Sequence, residues 1–459
     1  MSRDVEADRL LAAARSTTDP VAAARLIAEA FLELSRTADA ATLTPLVQRL
    51  DALRSDPPRP AVEVLYHTVA GVVGSRTQQP RALAHLDAAV RLADQHRLHS
   101  DPLHLECAVM CTVTAMRPHL VRPGFAQFIA DLDGDPARKA RLVALLGLAD
   151  AWSGNLLRGR AGLRTAVELA RAAQRLDIEA EATSWLAKIE ALCGDLDAAA
   201  DCLARARDLA ARAGSSWVAF HITECAAALH LASGDQDAWA GALEYLVATF
   251  VGVTSGLVFE HRWELATHYA LHGRPGDAAA LLDQMPDPPL GWPGAPALPA
   301  WRAWIAAPAD TAAMATLEAA FAGLNRPVER LSRARLAWLL GAQHARLGRR
   351  ADAIRVLEHA SAGYAAMGAA GLLARVTAEL DRIAGVAPAP RATPLTPAEA
   401  RVVQTVAGGL SNSQAAELLG ISAKTVEFHL GNAYRKLGIH NRAELTGTLA
   451  QPRAQAAGS

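Results

Sequence analysis

The chain has 459 residues, of which 51% are hydrophobic and 20% charged, and its formal net charge is −1. This composition excludes a disordered chain, and the near-zero charge excludes a protein that is basic throughout. The length exceeds what one hydrophobic core usually holds, so the sequence predicts about two to four domains or one extended array of repeats. Ala and Leu are abundant and favour helix, while strand-favouring Thr, Tyr, Phe and Ile are sparse. We therefore predict an all-α fold.

The N-terminus and the cysteines indicate a reducing, aqueous compartment. Residues 1–14 contain Arg3, Asp4 and Glu6 and lack the apolar stretch of a secretory signal. The longest stretch without Asp, Glu, Lys or Arg, His359–Ala374, is shorter than the ~20 residues that a membrane span needs. The five cysteines are odd in number and form no Cys-x-x-Cys pair, so we expect free thiols, no metal site and no cofactor. These features predict a cytoplasmic protein that does not enter a membrane.

A repeat with a period of about 40 residues runs through the body of the chain. Its anchors are glycines, and each is expected to end a helix in the left-handed conformation. An Asp follows in two cases, Gly194-Asp195 and Gly234-Asp235, and suits the start of the next helix. The anchors are Gly154, Gly194, Gly234, Gly273 and Gly348, and Pro308 begins a repeat that lacks the glycine.

Apolar residues keep a fixed distance from these anchors. Because they recur three residues apart on the second helix of each pair, they predict a seam that one helical pair cannot bury alone. Nine residues after the anchors stand Leu163, Leu203, Leu243, Leu282, Leu317 and Leu357, and twelve after them stand Ala166, Ala206, Leu246, Met285, Ala320 and Ala360. The pairs are therefore expected to stack into a solenoid.

The stretch Gly194–Ala210 resembles the second helix of a tetratricopeptide (TPR) repeat, although the period exceeds that family's usual 34 residues and its aromatic positions are absent. Arg81–Leu92 is interpreted as an earlier repeat. We therefore predict a TPR-like helical-hairpin solenoid over residues 1–385, with a sensor or interaction role. The proline-rich stretch Asp287–Trp301 interrupts it and cannot be helical throughout.

Four tryptophans cluster in sequence around this insert. They are consistent with ordinary packing in the core, which is the commoner role of tryptophan, or with a groove for a ligand or partner. They are Trp263, Trp292, Trp301 and Trp304.

A Pro/Ala linker, residues 386–394, separates the solenoid from a C-terminal module over residues 395–450, and a flexible tail is predicted at 451–459. Within the module, capping residues Thr396, Ser411 and Ser422 start helices and glycines end them, which predicts a four-helix unit with a helix-turn-helix. From residue 391 onward there are seven Lys/Arg against four Asp/Glu, so positive charge is concentrated at this end.

Apolar positions supply the core of the module and leave one face of its third helix, residues 423–437, free for a partner. The predicted core residues are Val402, Val403, Val406, Leu410, Ala415, Leu418, Leu419, Ile421, Val426, Leu430, Ala433 and Leu437. The free face includes Lys424, Thr425, Glu427, Phe428 and Gly431.

Three stretches of the module resemble the DNA-binding domain of LuxR-type regulators: LTPAEARVV, GLSNSQAAELLGIS and KTVEFHLGNAYRKLGIHNRAEL. The resemblance implies that residues 423–437 form a recognition helix in the major groove of double-stranded DNA. It places Lys424, Thr425, Val426 and Glu427 against base edges or adjacent phosphates, and His429, Arg435 and Lys436 near the backbone. It also implies that Ser411 and Asn412 cap the first helix of the motif near a phosphate, and that Leu445 and Leu449 form a dimer contact.

The module departs from the family pattern at four positions. Ser413, Gln414 and Ala415 stand where the family commonly has Lys or Arg, Glu and Ile, and Gly431 stands where Ser is usual. Glu427 is compatible with reading cytosine or with a solvated helix position, and His429 with a phosphate contact or a structural role.

The sequence thus favours a dimeric DNA-binding regulator whose solenoid senses an unknown protein or small molecule. It looks like the C-terminal part of large ATP-binding LuxR-type regulators without the ATPase, since no P-loop is present. A repeat scaffold whose terminal module mainly binds protein is the alternative. An enzyme is not expected, because no catalytic constellation converges.

Overall fold

In the computed structural model, the described residues are 3–35, 40–77, 79–114, 123–132, 134–213, 216–249, 255–285, 294–326, 329–385, 401–403, 405–406, 410–419 and 422–437. They contain helices, short turns and no strand, so the predicted all-α class is confirmed. Two compact units are formed, Met1–Ile383 and Ala384–Ser459. Within the described residues, no helix is both long and apolar enough to cross a membrane.

The described residues of the first unit contain twenty α-helices, and most of them pack against the helix that follows in the chain. The first seven, α1–α7, span Arg3–Ser16, Pro20–Leu34, Ala40–Asp51, Pro60–Arg76, Ala82–Gln95, Pro102–Thr114 and Pro123–Ala130. Helices α8–α14 span Pro136–Trp152, Leu156–Ala172, Leu176–Cys193, Leu196–Ala213, Ser216–Ser233, Gln236–Thr249 and Ser255–Leu271. Helices α15–α20 span Pro275–Asp283, Leu298–Ala306, Thr311–Ala322, Arg330–Arg346, Arg350–Met367 and Ala370–Ala384.

The anchor glycines lie between the two helices of each pair, and all five are left-handed, with φ between +73° at Gly348 and +93° at Gly234. The Asp predicted to start the next helix caps it: Asp195 accepts a hydrogen bond from the Ala198 N–H at 3.2 Å, and Asp235 accepts one from the Ala238 N–H at 3.0 Å. The regular spacing of these glycines therefore has a physical cause. At each of them the chain reverses sharply, and where an Asp follows, it caps the next helix.

The apolar residues nine and twelve positions after the anchors are buried or half-buried, as predicted. The leucines among them lie in the cores of the array, and Leu163, Leu243, Leu317 and Leu357 are fully buried. Leu163 packs on Gly147, and Leu357 packs on Gly341, within their own helical pairs. Met285 and Ala320 are half-buried and pack against the same core. One continuous core extends from Leu148 to Val376, and a separate core joins α2–α6. The TPR-like solenoid predicted from the repeat is the observed architecture.

The proline-rich insert falls partly outside the described residues. Where description resumes, a short 3₁₀ turn over Ala295–Ala297 leads directly into α16 at Leu298. The last residues of the predicted break are therefore helical. Pro299 is tolerated there because it occupies the first turn of α16, where its missing N–H has no partner to lose.

The second unit contains α21, Asn412–Leu419, and α22, Ala423–Leu437, with further helical residues at 401–403 and 405–406. Its small core joins Val402, Val403 and Val406 to Ala415, Ala416, Val426, Leu430 and Ala433. Most of the described positions match the predicted core. Leu418 does not, because its residue is 69% exposed.

Candidate nucleic-acid interface

The start of α22 is fixed by Ser422. Its hydroxyl oxygen accepts a hydrogen bond from the Thr425 N–H at 3.1 Å, and its carbonyl accepts one from the Val426 N–H at 3.0 Å. The hydroxyls of Ser422 and Thr425 lie 2.7 Å apart and form a second bond. Ser422 thus satisfies donors that a helix terminus otherwise leaves unpaired, and it holds the first turn of α22 in place.

Helix α22 has a buried face and a face toward solvent. Val426, Leu430 and Ala433 recur at helical spacing and are buried in the core of the unit. Lys424 and Glu427 are exposed on the first two turns. The exposed end of α22 therefore presents one cation, one carboxylate and the positive end of the helix dipole to a partner.

The preceding helix, α21, begins with a reciprocal cap. The Ser411 N–H donates to the Gln414 side-chain oxygen at 2.9 Å, and the Gln414 N–H donates to the Ser411 hydroxyl at 3.3 Å. This is the capping box predicted from Ser411-Asn412-Ser413-Gln414. Gln414 therefore keeps the function of the glutamate that is common at this position. Asn412 is the first residue of α21 and is half-buried.

The structure corrects one residue of the predicted interface and adds a role for another. The resemblance placed Val426 against base edges, whereas its helical spacing placed it in the core. It is fully buried among the apolar side chains of the module, so the core position holds. The hydroxyl of Thr425 is engaged with Ser422, which gives Thr425 a part in positioning α22. The small spacing between a serine cap and a threonine three residues later is the sequence signal for this pair.

Several predicted interface residues lie outside what the structure describes. The backbone of α22 includes positions 435 and 436, but the side chains of Arg435 and Lys436 are not among the described groups. The same holds for Phe428. The fourth helix of the module, with Leu445 and Leu449, also lies outside the described residues. His429 is half-buried on α22.

The tryptophan groove is not present at the described positions. Trp263, Trp301 and Trp304 are at most 4% exposed and belong to the main core of the array. The Trp301 indole N–H donates to the Thr267 hydroxyl at 2.9 Å, and the rings of Trp263 and Trp301 lie 5.3 Å apart. These side chains fill the interior rather than line a surface. Trp292 lies outside the described residues.

A chain of buried and half-buried charged side chains, which the sequence analysis did not predict, links four helices of the array. Lys188 on α10 bonds Glu224 on α12. The His261 imidazole, on α14, lies 3.9 Å from Glu224 and 3.7 Å from Glu264, and Glu264 pairs with Arg335 on α18. We call these five residues the interior ion-pair chain. Its sequence signal was a set of charges within otherwise apolar helices.

The electrostatics of this chain follow from burial and mutual attraction. Burial opposes charge on Glu224 and is the largest single effect, but Lys188, His221 and His261 together outweigh it and hold the pKa of the carboxyl well below its usual range. Burial likewise opposes charge on His261, yet the nearby carboxylates of Glu264 and Glu224 raise the pKa of the imidazole. The chain is thus stabilised in its ionised form, because each charge has an opposite neighbour.

Comparison with known proteins separates the two units. Residues 393–448 match the family model described as "Bacterial regulatory proteins, luxR family". An HTH-type transcriptional regulator of Mycobacterium tuberculosis is 44% identical over 57 residues, 12% of this chain and 6% of that protein. A nitrate/nitrite response regulator protein homolog of Haemophilus influenzae is 46% identical over 52 residues, 11% of this chain and 25% of that protein. The chain therefore matches a quarter or less of the length of these relatives.

The fold of the array has a solved counterpart. The crystal structure of a Rap protein complexed with Competence and Sporulation Factor aligns with a TM-score of 0.50, covering 83% of this chain and 95% of that chain at 12% identity. This likeness concerns the fold alone. Taken with the capped α21–α22 pair and the matched segment, it identifies the chain as a TPR-like helical array followed, at residues 393–448, by a helix-turn-helix domain of the luxR family of bacterial regulatory proteins.

Proposed function

We propose that this protein is a sequence-specific DNA-binding transcription regulator that inserts α22 into the major groove. The observation that carries the proposal is the arrangement of α22. Val426 anchors its inner face in the core, while Lys424 and Glu427 are exposed on its first turns. A helix held in this way can offer its N-terminal end to phosphate and its first turns to base edges.

Within this proposal, each group has a distinct task. Lys424 contacts a guanine edge or an adjacent phosphate, and Glu427 accepts from a cytosine amine. Arg435, Lys436 and His429 approach the backbone, and Ser411 and Asn412 bring the start of α21 to a phosphate. Leu445 and Leu449 form the contact between two modules on DNA. The protein would act in the bacterial cytoplasm, where its DNA is.

Selection of bound duplexes from a random pool tests this function. A regulator of this kind enriches one sequence, and two symmetric half-sites would report a dimer. The affinity for the enriched duplex should fall steeply as salt rises, because phosphate contacts release counterions. A pool that enriches no sequence, together with an affinity independent of salt, would reject DNA binding.

We further propose that a molecule bound by the array controls the module. The support is the fold shared with the Rap protein, which was solved in complex with Competence and Sporulation Factor. The test is the affinity of the purified chain for its selected duplex with and without extract of the source bacterium. Protease and heat treatment of the extract distinguish a protein effector from a small molecule. No extract-dependent change in affinity would count against this control.

One observation favours a second function, a scaffold whose module binds protein. Leu418 is a large apolar side chain exposed on α21, and such residues are enriched where proteins meet. The substitution Leu418→Ser distinguishes the two functions. This change should leave the affinity for the selected duplex unaltered if DNA is the partner of the module through α22.

A further inference from the structure

The last helix of the array lies across the turns of earlier repeats. The backbone of Gly371, in the first turn of α20, touches that of Gly194: a Cβ on Gly371 would lie 2.7 Å from the Ala191 carbonyl oxygen and 3.0 Å from the Gly194 Cα. One helical turn later, the Arg375 guanidinium covers Gly234, where a Cβ would lie 1.8 Å from its Nη1. We call the two turns, at Gly194 and Gly234, the glycine track.

This contact gives Gly194 a second task. Its left-handed backbone reverses the chain, and it also lacks the Cβ that would meet the backbone of α20. Gly234 is likewise left-handed, and the group that covers it is the flexible end of Arg375. The contact is long-range, because nearly 180 residues separate Gly194 from Gly371. Glu379 adds a hydrogen bond from the Trp338 indole at 2.8 Å. Helix α20 is therefore docked at defined points in addition to its apolar contacts with the main core.

The docking is nevertheless light. Of the 15 residues of α20, only Leu372 and Val376 are buried, whereas α10, with 18 residues, buries most of its length. Arg375 is half-buried, and its Nε has no hydrogen-bond partner among the described residues. Burial also lowers the pKa of its guanidinium, so that group is better solvated when α20 leaves the track. An element with few buried contacts opens before the rest of a fold.

We propose that α20 is a releasable strap, which docks on the glycine track and opens while the remaining array stays folded. Its position in the chain gives the opening a consequence, because α20 directly precedes the linker to the module. While α20 is docked, the tether between the array and the module consists of the linker only. A released helix of this length adds up to about 22 Å of reach. The idea that the strap couples effector binding to DNA binding rests on the proposed function. The opening of the strap itself can be tested without DNA.

The substitution Gly371→Ala distinguishes loss of docking from loss of the α20 helix itself. Alanine favours helix more than glycine does, so the change should undock α20 through the clash with the backbone at Ala191 and Gly194. Gly241→Ala is the matched control, since Gly241 is also helical and a Cβ there meets nothing within 4 Å. In full-length Gly371→Ala, amide hydrogen exchange over 370–384 should accelerate by about ten-fold or more. Exchange in α10–α12 should equal that of the control.

Unchanged exchange over 370–384 would overturn the strap, and so would equal acceleration throughout α10–α12, because α20 would then be inseparable from the array. A labelled synthetic peptide of residues 367–385 gives an independent readout by fluorescence anisotropy. It should bind the Gly371→Ala chain, whose track is free, and not the wild-type or Gly241→Ala chains. Equal binding to all three chains would mean that the peptide uses another surface, and would contradict the proposal.

Discussion

At the scale of single residues, Lys424 combines three properties that make it the best probe of the interface. It is exposed, it lies in the first turn of α22, and its positive charge is at the helix end that disfavours cations. A lysine kept at such a position is better explained by an external anion than by the stability of the helix. Its neighbours are either buried, as Val426 is, or engaged in the cap, as Thr425 is.

We predict that Lys424→Ala weakens binding to the selected duplex by about 1–3 kcal/mol if the amine reads a base. If the amine contacts phosphate alone, affinity should fall by a similar factor on cognate and scrambled duplexes. Gel-shift titration on both distinguishes the two cases. Arg212→Ala, which removes an exposed cation from α11 of the array, is the control for net charge. Equal affinities for wild type and Lys424→Ala on both duplexes would remove this residue from the interface.

At the scale of helices, the caps determine how precisely α22 is presented. Ser422→Ala should cost the module about 0.5–2 kcal/mol, because the Thr425 N–H loses its side-chain acceptor and the Thr425 hydroxyl loses its partner. Ser422→Asn supplies another capping oxygen and should restore most of that stability. Urea unfolding of the three proteins, followed by the signal of the module, measures the effect. A Ser422→Ala module as stable as wild type would show that the cap is dispensable.

Helical elements were predictable where a local rule decides them. The glycine register located the repeat turns because a left-handed residue is needed there, and Ser411 and Ser422 marked helix starts because unpaired N–H groups need acceptors. The burial of Val426 could be predicted from its spacing to Leu430 and Ala433, but the family pattern alone placed it at the interface. Contacts between distant segments, such as Gly194 with Gly371, have no local signal. The interior position of Trp301 depends on them in the same way.

At the scale of the whole molecule, the two compact units should respond separately to DNA. A selected duplex at 100 times its Kd should stabilise the unit that contains α21 and α22 by about 2.7 kcal/mol. The midpoint temperature for unfolding of the array, Met1–Ile383, should not change. Differential scanning calorimetry with selected and scrambled duplexes provides the measurement. A shift of both transitions with the selected duplex would mean that the array also contributes to DNA binding.

The interior ion-pair chain limits how this array can be shortened or lengthened. Stacked repeats are usually treated as modules that can be deleted one at a time, since each meets only its neighbours. Here Lys188, Glu224, His261, Glu264 and Arg335 join four helices from different hairpins. Deleting the hairpin that carries α14 would remove Glu264, the carboxylate that pairs with Arg335, and would leave Glu224 with Lys188 but without His261. Breaking a largely buried ion pair in this way is costly. These hairpins are therefore inherited as one block, and variation in repeat number is expected outside α10–α18.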